Sequence, residues 1–583
     1  MVVLIGVIVS VMCVFLLRMY TLAAVSPDER AVADADSMTY QTTVEGARGC
    51  ILDRNGKVLV GNRASYDLVF NHFVIKSADN RNEYLYTLLK KCEELGVEHQ
   101  DHLPVTTTRP FEYTLSDYST AWQGYYQNYM SDRSWDPDVT APLLIEKMRE
   151  LYKIPKEWTE DEARAVIGLR YEFDLRGVTK LPSYVFISDV DSENLAAILE
   201  LNTPGLMVES STVREYHTTY GAHILGYMGA MTDAEWQENQ KLGYSMDADV
   251  GKSGFEEAFE TYLHGIDGQR LDKVTKEGTI VSQQYLEGKE PVAGNNVETT
   301  IDIDLQKVAE DALSQRMKEL TDPNINTGGE GEGIDAQGAA VVVMKVKTGE
   351  ILACASYPTY NLATMKEDWD AINSDDLKPM FNRAFGATYA PGSTYKMCTL
   401  VAAMENVYGP TNPKAGQPIY APGETIYDTG VFSHDDFPDF HPTCLFYSSS
   451  YGSHGDLTAQ DALKVSCNLF FYELGYRMTI GMMDETAKGF GLGEPTGIEL
   501  TEKVGWRANE ASKKASYKNS ADAAWNGGDR VLCAIGQSEN RFTPLQLAVY
   551  TCTLANQGTR YRATFLNRVT SSDYRTLVYS NSP

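Results

Sequence analysis

The first 24 residues are the feature that most constrains how this chain can fold. The stretch MVVLIGVIVSVMCVFLLRMYTLAA is nearly continuously apolar, and only Arg18 interrupts it. A helix needs about 20 such residues to cross the hydrocarbon core of a bilayer. A cleaved secretory signal is the rival interpretation, but such a signal starts with charged residues and has a shorter apolar core. We therefore expect residues 1–24 to form a retained membrane anchor.

Bulk properties favour several folded domains and disfavour some partners. The chain has 583 residues, which exceeds what one hydrophobic core organises, and 43% of them are apolar, as in globular proteins. Its net charge of −29 comes from 80 acidic and 51 basic residues. Such a charge repels nucleic acid, so no nucleic-acid partner is expected.

The cysteines raise a question about the cell compartment. There are nine of them, an odd number without repeated spacing, so they do not form the pattern of a disulfide framework. Reduced thiols are unusual in a domain outside the membrane. Two explanations remain open: the cell rarely makes disulfides, or some of the thiols bind a metal ion.

The first half of the chain alternates between strand and helix patterns. Apolar runs flank the turn Asp53-Arg54-Asn55-Gly56 between residues 40 and 70, which predicts a hairpin. Residues 71–200 contain helical periods at EYLYTLLKKCEEL and PLLIEKMRELYK, so we interpret them as a helical insertion. Short strands return between 205 and 300.

The second half predicts a hairpin followed by helices. After a predicted helix at about 304–320, AAVVVMKVKTGEILACAS forms two strand-like runs that meet at Lys347-Thr348-Gly349. Helical segments follow at TYKMCTLVAAMENV, DALKVSCNLFFYELGYRM and about 543–556. This order is typical of an α+β domain whose remaining strands come last.

A serine and a lysine one helical turn apart begin one of these apolar helices. In APGSTYK, residues 390–396, Pro391 and Gly392 end a loop, and Ser393 starts the predicted helix. The i, i+3 spacing places the Ser393 hydroxyl and the Lys396 amine on one face. Burial disfavours a charged lysine, so its neutral amine can accept the serine proton. The pattern S-x-x-K is short enough to arise by chance, so it needs a second signal.

The second signal is Ser466-Cys467-Asn468, which lies in the apolar run DALKVSCNLFFYELG. A polar turn inside a core helix would explain it without chemistry, although buried Ser and Asn side chains are costly unless they form hydrogen bonds. S-x-x-K followed by S-x-N is the motif pair of penicillin-binding proteins and β-lactamases. Together the two motifs favour an acyl-transfer site with a serine nucleophile.

Longer stretches resemble one family, the class B penicillin-binding proteins. NRAFGATYAPGSTYK (382–396) resembles their nucleophile region, and AIGQSENRFTPLQLAVYTCTLANQG (534–558) resembles the segment that follows S-x-N in them. Four further stretches resemble their non-catalytic pedestal: ARGCILDRNGKVL (47–59), REYHTTYGAHILGYMG (214–229), VGKSGFEEAFETYLHGIDG (250–268) and TTIDIDLQ (299–306). The agreement is collinear, and no glycosyltransferase segment of the class A kind precedes it.

The resemblance implies an α+β multidomain architecture. It implies a transmembrane anchor at 1–24, a β-rich pedestal at 25–300 with a helical insertion at about 71–200, and a transpeptidase domain at 301–583. That last domain would have the fold shared with serine β-lactamases. The chain would cross the cell membrane once and hold its catalytic domain outside the cytoplasm.

The resemblance also implies an activity, peptidoglycan D,D-transpeptidation. Ser393 would attack the penultimate D-Ala carbonyl of a stem peptide, and an amine of a neighbouring stem would resolve the acyl-enzyme; β-lactams would trap the same serine. Lys396 would be the base for acylation, Ser466 a proton relay to the leaving amine, and Asn468 a hydrogen-bonding group for the substrate amide. Expected partners are D-Ala-D-Ala stem peptides, β-lactams, the membrane, and proteins of cell-wall elongation or division. The alternative is a non-catalytic penicillin-binding scaffold or β-lactam sensor.

One departure from the family pattern concerns its third motif, K-T-G, which follows S-x-N. Here the only Lys-Thr-Gly is residues 347–349, ahead of Ser393. Its position resembles the TGEILA segment of the family's first hairpin, so we interpret it as unrelated to the third motif. We therefore expect the true K-T-G strand beyond Pro583, and the chain as printed to be inactive without it.

A window before the S-x-N motif contains several metal-binding residue types. Three of nine histidines and two of nine cysteines lie between 428 and 467. Zinc accepts such nitrogen and sulfur ligands, and the window resembles clostridial members of the family that hold zinc near the active site. We expect Cys444, His454 and Cys467 to bind a structural zinc ion together with His441 or an acidic residue. A polar loop with unrelated residues is the alternative, and catalysis itself would require no cofactor.

Overall fold

A computed structural model describes most of the chain. It covers residues 37–178, 183–239, 244, 248–275, 280–328, 333–450, 452–519 and 522–581. The predicted anchor at 1–24 lies outside these residues. Within the described ranges, no helix combines the length and apolarity that a membrane crossing requires.

The strands form one large sheet and several small ones. In chain order the strands are β1 (Ser37–Val44), β2 (Ile51–Leu52), β3 (Val58–Phe70), β4 (Tyr184–Ile187), β5 (Leu206–Tyr216), β6 (Met228–Ala230), β7 (Asp249–Gly251), β8 (Gly268–Thr275), β9 (Ile280–Tyr285), β10 (Asn296–Thr299), β11 (Ala339–Met344), β12 (Ile351–Tyr357), β13 (Ile426–Asp428), β14 (Gly455–Leu457), β15 (Leu566–Thr570) and β16 (Leu577–Ser580). The large sheet has the order β16-β15-β10-β2-β3-β4, and β5 also pairs with β3. A separate sheet, β1-β8-β9, begins where the described chain begins.

Helices dominate two regions, between β3 and β5 and after β12. In chain order they are α1 (His72–Ser77), α2 (Arg81–Leu95), α3 (Thr120–Asp132), α4 (Ala141–Tyr152), α5 (Glu160–Val178), α6 (Ser192–Leu199), α7 (Ala222–Leu225), α8 (Asp233–Asn239), α9 (Gly254–Ala258), α10 (Glu260–Leu263), α11 (Ile303–Thr321), α12 (Trp369–Ser374), α13 (Lys396–Glu405), α14 (Leu445–Ser450), α15 (Ala459–Lys464), α16 (Asn468–Arg477), α17 (Ile480–Gly489), α18 (Glu510–Ser516), α19 (Gly527–Cys533) and α20 (Pro544–Ala555).

The predicted hairpin at the start of the pedestal is confirmed. β2 and β3 pair antiparallel across the Asp53–Gly56 turn. The Asp53 carboxylate accepts hydrogen bonds from the backbone N–H groups of Asn55 and Lys57, at 2.8 and 2.9 Å. Gly56 completes the turn at φ +82°, a conformation that favours glycine. An Asx turn and a glycine therefore fix the register of these strands.

The helical insertion has its own core. Its helices are α1–α6, and the predicted helical periods at 83–95 and 142–153 are confirmed by α2 and α4. On α4 the side chains of Leu144, Ile145 and Met148 are buried on one face, as the helical period requires. Phe70, at the end of β3, packs against Phe173 of α5 with ring centroids 5.1 Å apart. The insertion is thus joined to the large sheet through the end of β3.

Buried ion pairs hold the pedestal together. The fully buried Glu256 carboxylate accepts hydrogen bonds from Arg48 at 2.8 Å and from Arg214 at 2.7 Å. Arg48 also bonds Glu260 at 2.7 Å. These contacts join the residues around β2, the strand β5 and the helices α9 and α10.

The region predicted to be the transpeptidase domain begins with a hairpin, as expected. β11 and β12 pair antiparallel, and Lys347-Thr348-Gly349 lies in the turn between them. Glu350, next to that turn, bonds Arg54 of the pedestal at 3.1 Å. The last strands also return to the pedestal, because β15 pairs with β10 and β16 pairs with β15. In the described residues the β11–β12 sheet therefore has two strands.

One predicted helical segment is divided in two. The run DALKVSCNLFFYELGYRM forms α15 and α16, with a break at Val465–Cys467. Ser466 has φ +51° in this break, and the Cys467 sulfur accepts from Phe470 N–H as the amino-terminal cap of α16. A left-handed residue cannot continue a right-handed helix. The local apolar pattern is helical on both sides, which is why the sequence predicted a single segment.

Candidate active site

The predicted nucleophile, Ser393, lies directly before α13. Residues Gly392–Tyr395 form a 3₁₀ turn, and the α-helix begins at Lys396. Gly392 enters the turn at φ +56°, and Thr394 donates a hydrogen bond to Pro391 O at 2.7 Å. Ser393 is exposed, whereas the Lys396 side chain is buried, as expected from the S-x-x-K spacing. The turn therefore presents a hydroxyl to solvent directly above a buried amine.

A chain of hydrogen bonds joins the two sequence motifs. Lys396 Nζ lies 3.0 Å from Ser466 Oγ, and Ser466 Oγ lies 3.0 Å from Ser393 Oγ. Lys396 also donates to Ser466 O at 2.8 Å and to Asn468 Oδ1 at 2.7 Å. The four predicted catalytic side chains thus meet in space, and in this arrangement Ser466 stands between the serine and the lysine.

Burial adjusts the lysine for proton transfer. Desolvation lowers the pKa of Lys396 from its ordinary value of 10.5 to about 8, because the charged ammonium loses its water shell. The neighbouring Cys467 and Cys444 thiols oppose this shift to a smaller extent. A lysine with a pKa near neutrality can act as a general base.

The S-x-N motif owes its geometry to the helix break. Cys467 N–H bonds back to Ala462 O at 2.9 Å, which closes α15, and Asn468 begins α16. Leu469 and Phe470 then bury this end of α16 in the core. Ser466 and Asn468 therefore face the lysine, while the Cys467 side chain points to the opposite, buried side.

Four metal-ligating side chains converge on that buried side. Asp428, Cys444, His454 and Cys467 place one ligand atom each within 4.8 Å of one another. The two sulfur atoms are 3.8 Å apart, and Cys444 Sγ is 3.8 Å from His454 Nδ1. Asp428 Oδ2 is 3.5 Å from Cys467 Sγ and 2.6 Å from His454 Nδ1. Three of the four residues that the sequence singled out are in this group.

The fourth member of the group is not His441, which the sequence prediction named before an acidic residue. His441 is exposed, and its Nε2 lies 2.9 Å from Pro438 O, outside the group. The acidic alternative is present instead, because Asp428 ends β13 and is buried beside His454. No local spacing marks Asp428 as a ligand. It reaches the group because β13 pairs with β14, the strand that begins directly after His454.

The donor set fits zinc. Tetrahedral zinc with bonds of about 2.0–2.3 Å to nitrogen, oxygen and sulfur separates its ligand atoms from one another by about 3.3–3.8 Å. The distances between the two sulfur atoms, from Cys444 to His454 and from Cys467 to Asp428 match this range. The Asp428 and His454 atoms are closer than this because they share a hydrogen bond. Asp428 also accepts from Gly430 N–H at 2.7 Å, the kind of supporting bond that orients a ligand. The hydrogen bond between the two thiols lowers the pKa of Cys444 and raises the pKa of Cys467, so Cys444 is the thiol that ionises more easily.

Comparison with known proteins identifies the family. Residues 43–299 match the penicillin-binding protein dimerisation domain, and residues 339–424 and 425–582 match the penicillin-binding protein transpeptidase domain. The chain belongs to the class B penicillin-binding proteins. The pedestal and the Ser393 region correspond to these two domains in the order that the sequence predicted.

Individual relatives agree with this family assignment. The peptidoglycan D,D-transpeptidase MrdA of Haemophilus influenzae is 30% identical over 72% of this chain, which spans 62% of that protein. Penicillin-binding protein 2B of Streptococcus pneumoniae is 24% identical over 90% of this chain and 73% of its own length. Among solved structures, the complex of PBP2 and MreC from Helicobacter pylori aligns with TM-score 0.60 at 19% identity, over 92% of this chain and 81% of that chain. The chain thus spans less than two thirds of the Haemophilus protein.

Proposed function

We propose that this protein is a serine-type peptidoglycan D,D-transpeptidase that binds penicillin. The observation that carries the proposal is the hydrogen-bonded chain from Lys396 through Ser466 to Ser393, because it connects a base to an exposed nucleophile. Relatives named D,D-transpeptidases support the choice of reaction. The substrate would be the D-Ala-D-Ala end of a stem peptide.

Proton movement follows from the geometry of the three residues. Hydroxyl hydrogens rotate freely, so with a neutral Lys396 the Ser393 hydroxyl can donate to Ser466 Oγ and Ser466 can donate to the amine. Ser393 Oγ then attacks the carbonyl carbon and forms the acyl bond. The proton returns by the same path to the leaving amine of the terminal D-Ala. The Ser393 backbone N–H lies at a helix amino terminus, where it stabilises the developing oxyanion.

Covalent labelling tests this proposal. Fluorescent penicillin should label the full-length protein, and mass spectrometry should place the adduct on Ser393. Ser393→Ala should abolish the label, whereas Ser374→Ala, at an exposed serine of α12, should leave it intact. Labelling that persists in Ser393→Ala would disprove the assignment of the nucleophile.

A non-catalytic sensor or scaffold is the competing function, and a second assay separates it. A sensor would be acylated at Ser393 but would not transfer the acyl group to an amine. We expect the full-length protein to join a donor stem peptide to an amine acceptor, with release of D-Ala. Acylation by penicillin without any D-Ala release from stem peptides would favour the sensor.

We also propose that Asp428, Cys444, His454 and Cys467 hold a structural zinc ion. Bound zinc would keep both cysteines as thiolates and would join the ends of the segment 428–444 to α16. The position of Cys467 in the chain explains how bound zinc would affect the active site. Cys467 lies between Ser466 and Asn468, so fixing its sulfur fixes the two side chains that contact Lys396.

Metal content and thermal stability test the zinc proposal directly. Protein purified without chelator should contain about one equivalent of zinc, and Cys467→Ser should reduce this strongly. Cys552→Ser is the matched control, because Cys552 lies on α20 outside the group. A chelator should lower the Tm of the parent protein and leave that of Cys467→Ser unchanged. Zinc-free protein with full penicillin reactivity would contradict the proposal.

We further propose that the protein is anchored in the cell membrane by residues 1–24 and works with other cell-wall proteins. The apolar run in the sequence supports the anchor. The Helicobacter PBP2 that shares the fold was solved as a complex with MreC, which supports a partner of that kind. Exchange of residues 1–24 for a cleavable signal should release the protein from the membrane fraction. Retention there after exchange would contradict the anchor.

A further inference from the structure

The turn that carries Ser393 rests on a second segment of the chain, Ala534–Gln537. Gly392 N–H, one residue before the nucleophile, donates to Gly536 O at 3.0 Å. Gly536 has φ +74°, and a Cβ placed on it would lie 2.2 Å from Gly392 O and 2.8 Å from Tyr395 Cβ. The two backbones are therefore in direct contact, and only glycine allows both the approach and the left-handed conformation.

The same segment is bonded to the other side of the nucleophile. Thr399 lies about two helical turns after Ser393 on α13 and is fully buried. Its hydroxyl donates to Ala534 O at 2.8 Å. The residues before and after the nucleophile are thus each tied to Ala534–Gln537, the segment that directly follows α19.

We propose that Ala534–Gln537 is a positioning element that sets where the Ser393 hydroxyl stands relative to Ser466. The proposal rests on the transpeptidase function proposed above and assigns no new reacting group. Ser393 Oγ lies 3.0 Å from Ser466 Oγ, and Ser393 belongs to a single 3₁₀ turn that precedes α13. The helix α13 alone does not fix the position at which the chain enters that turn. The bond between Gly392 and Gly536 fixes the entry, and the bond between Thr399 and Ala534 fixes the rotation of the helix.

A pair of substitutions at Thr399 tests this positioning role. Thr399→Val keeps the shape of the side chain and removes the hydroxyl, which leaves Ala534 O without its donor. We expect the acylation rate constant with penicillin to fall about tenfold or more, because small displacements of a reacting group are costly. The dissociation constant of the non-covalent penicillin complex should stay unchanged. Thr399→Ser should restore the acylation rate, since it restores the hydroxyl.

Gly536→Ala tests the same role from the other side, and Gly56→Ala is its control. Both glycines have positive φ, at +74° and +82°, but a Cβ on Gly56 meets no atom within 4 Å. Both variants therefore carry the cost of a left-handed alanine, and only Gly536→Ala displaces the nucleophile turn. We expect slow acylation in Gly536→Ala and parental acylation in Gly56→Ala.

The outcomes separate this inference from the proposed function. If the parent protein acquires no label on Ser393, the proposed function fails and the positioning role fails with it. If the parent is labelled but folded Thr399→Val and Gly536→Ala acylate at the parental rate, only the positioning role is overturned. If Thr399→Val does not fold, the acylation rates of Gly536→Ala and Thr399→Ser still test the positioning role. Equal losses in Thr399→Val and Thr399→Ser would also overturn it.

Discussion

At the scale of single residues, Lys396 carries a charge that its surroundings compensate only in part. The residue is 1% exposed, and its Nζ donates to three oxygen atoms, all of them uncharged. In the described residues no carboxylate forms an ion pair with it. The ammonium is therefore less stable here than in water, and the pKa of Lys396 is lowered to about 8.

The charge of Lys396 predicts how acylation depends on pH. In the proposed mechanism the neutral amine is the active form, so the acylation rate should rise with pH through about 8, the pKa of Lys396, and level off above it. Rates with penicillin between about pH 6 and pH 10 would show this. Lys396→Arg should remove this rise of the acylation rate near pH 8, because a guanidinium stays protonated throughout this range. A flat profile in the parent protein would exclude Lys396 as the base.

The sequence predicted which side chains meet around Lys396 more completely than it predicted which side chains meet around Cys467. Ser393, Lys396, Ser466 and Asn468 belong to short motifs whose spacing is set by one helical turn or one helix start. Asp428 belongs to no such motif, because its place in the group follows from the pairing of β13 with β14. Pairing between distant segments is invisible to local patterns, and for the same reason the role of Gly536 beside Gly392 could not be predicted.

At the scale of elements, the pedestal depends on one buried carboxylate. Glu256 on α9 has no exposed side-chain surface and bonds both Arg48 and Arg214. A buried ion pair of this kind contributes little over an apolar substitute, but the loss of one partner is costly. The sequence predicted the elements around it, since turn residues and helical periods are local. It did not predict the break at Val465–Cys467, which tertiary packing around Lys396 stabilises.

Removal of the Glu256 charge should therefore weaken the pedestal. Glu256→Gln leaves the buried Arg214 guanidinium without its carboxylate and leaves Arg48 with Glu260 alone. We expect the free energy of unfolding to fall by about 3–5 kcal/mol. Glu319→Gln is the control, because Glu319 pairs with Arg316 at the surface, where side chains are 35% and 66% exposed. We expect little change in that variant. Urea denaturation followed by circular dichroism would measure both, and equal stability of the two variants would contradict the assigned role of Glu256.

At the scale of the whole molecule, the chain leaves the large sheet and returns to it several times. The helical insertion begins at the end of β3, adds β4 to the sheet beside β3, and ends at the start of β5. The transpeptidase region returns to the sheet through β15. Phe70 and Leu206 are direct partners in the antiparallel β3–β5 ladder. The two chain connections of the insertion are therefore adjacent, and its strand β4 pairs only with β3 among the described strands of the large sheet. Removal of the insertion together with β4 need not alter the position of β10, β15 or the site.

This attachment predicts that the insertion is dispensable for acylation and needed for partners. A two-residue Asn-Gly turn can replace Asn71–Gly205, because it joins paired antiparallel strands without changing their register. Leu68 and Phe70 lose their cover in this variant, so both should be changed to Thr to avoid an exposed apolar patch.

We expect the shortened protein to be acylated by penicillin at a rate within about twofold of the parent, since distant sites rarely couple. Binding to an MreC-type partner, measured by surface plasmon resonance, should be lost. The full chain with only Leu68→Thr and Phe70→Thr separates effects of the substitutions from effects of the deletion. A shortened protein that remains folded but is not acylated would mean that the insertion communicates with Ser393. A shortened protein that still binds the partner with parental affinity would place the partner surface elsewhere on the pedestal. The described part of the pedestal that this variant keeps comprises the strands β1–β3 and β5–β10 and the helices α7–α10.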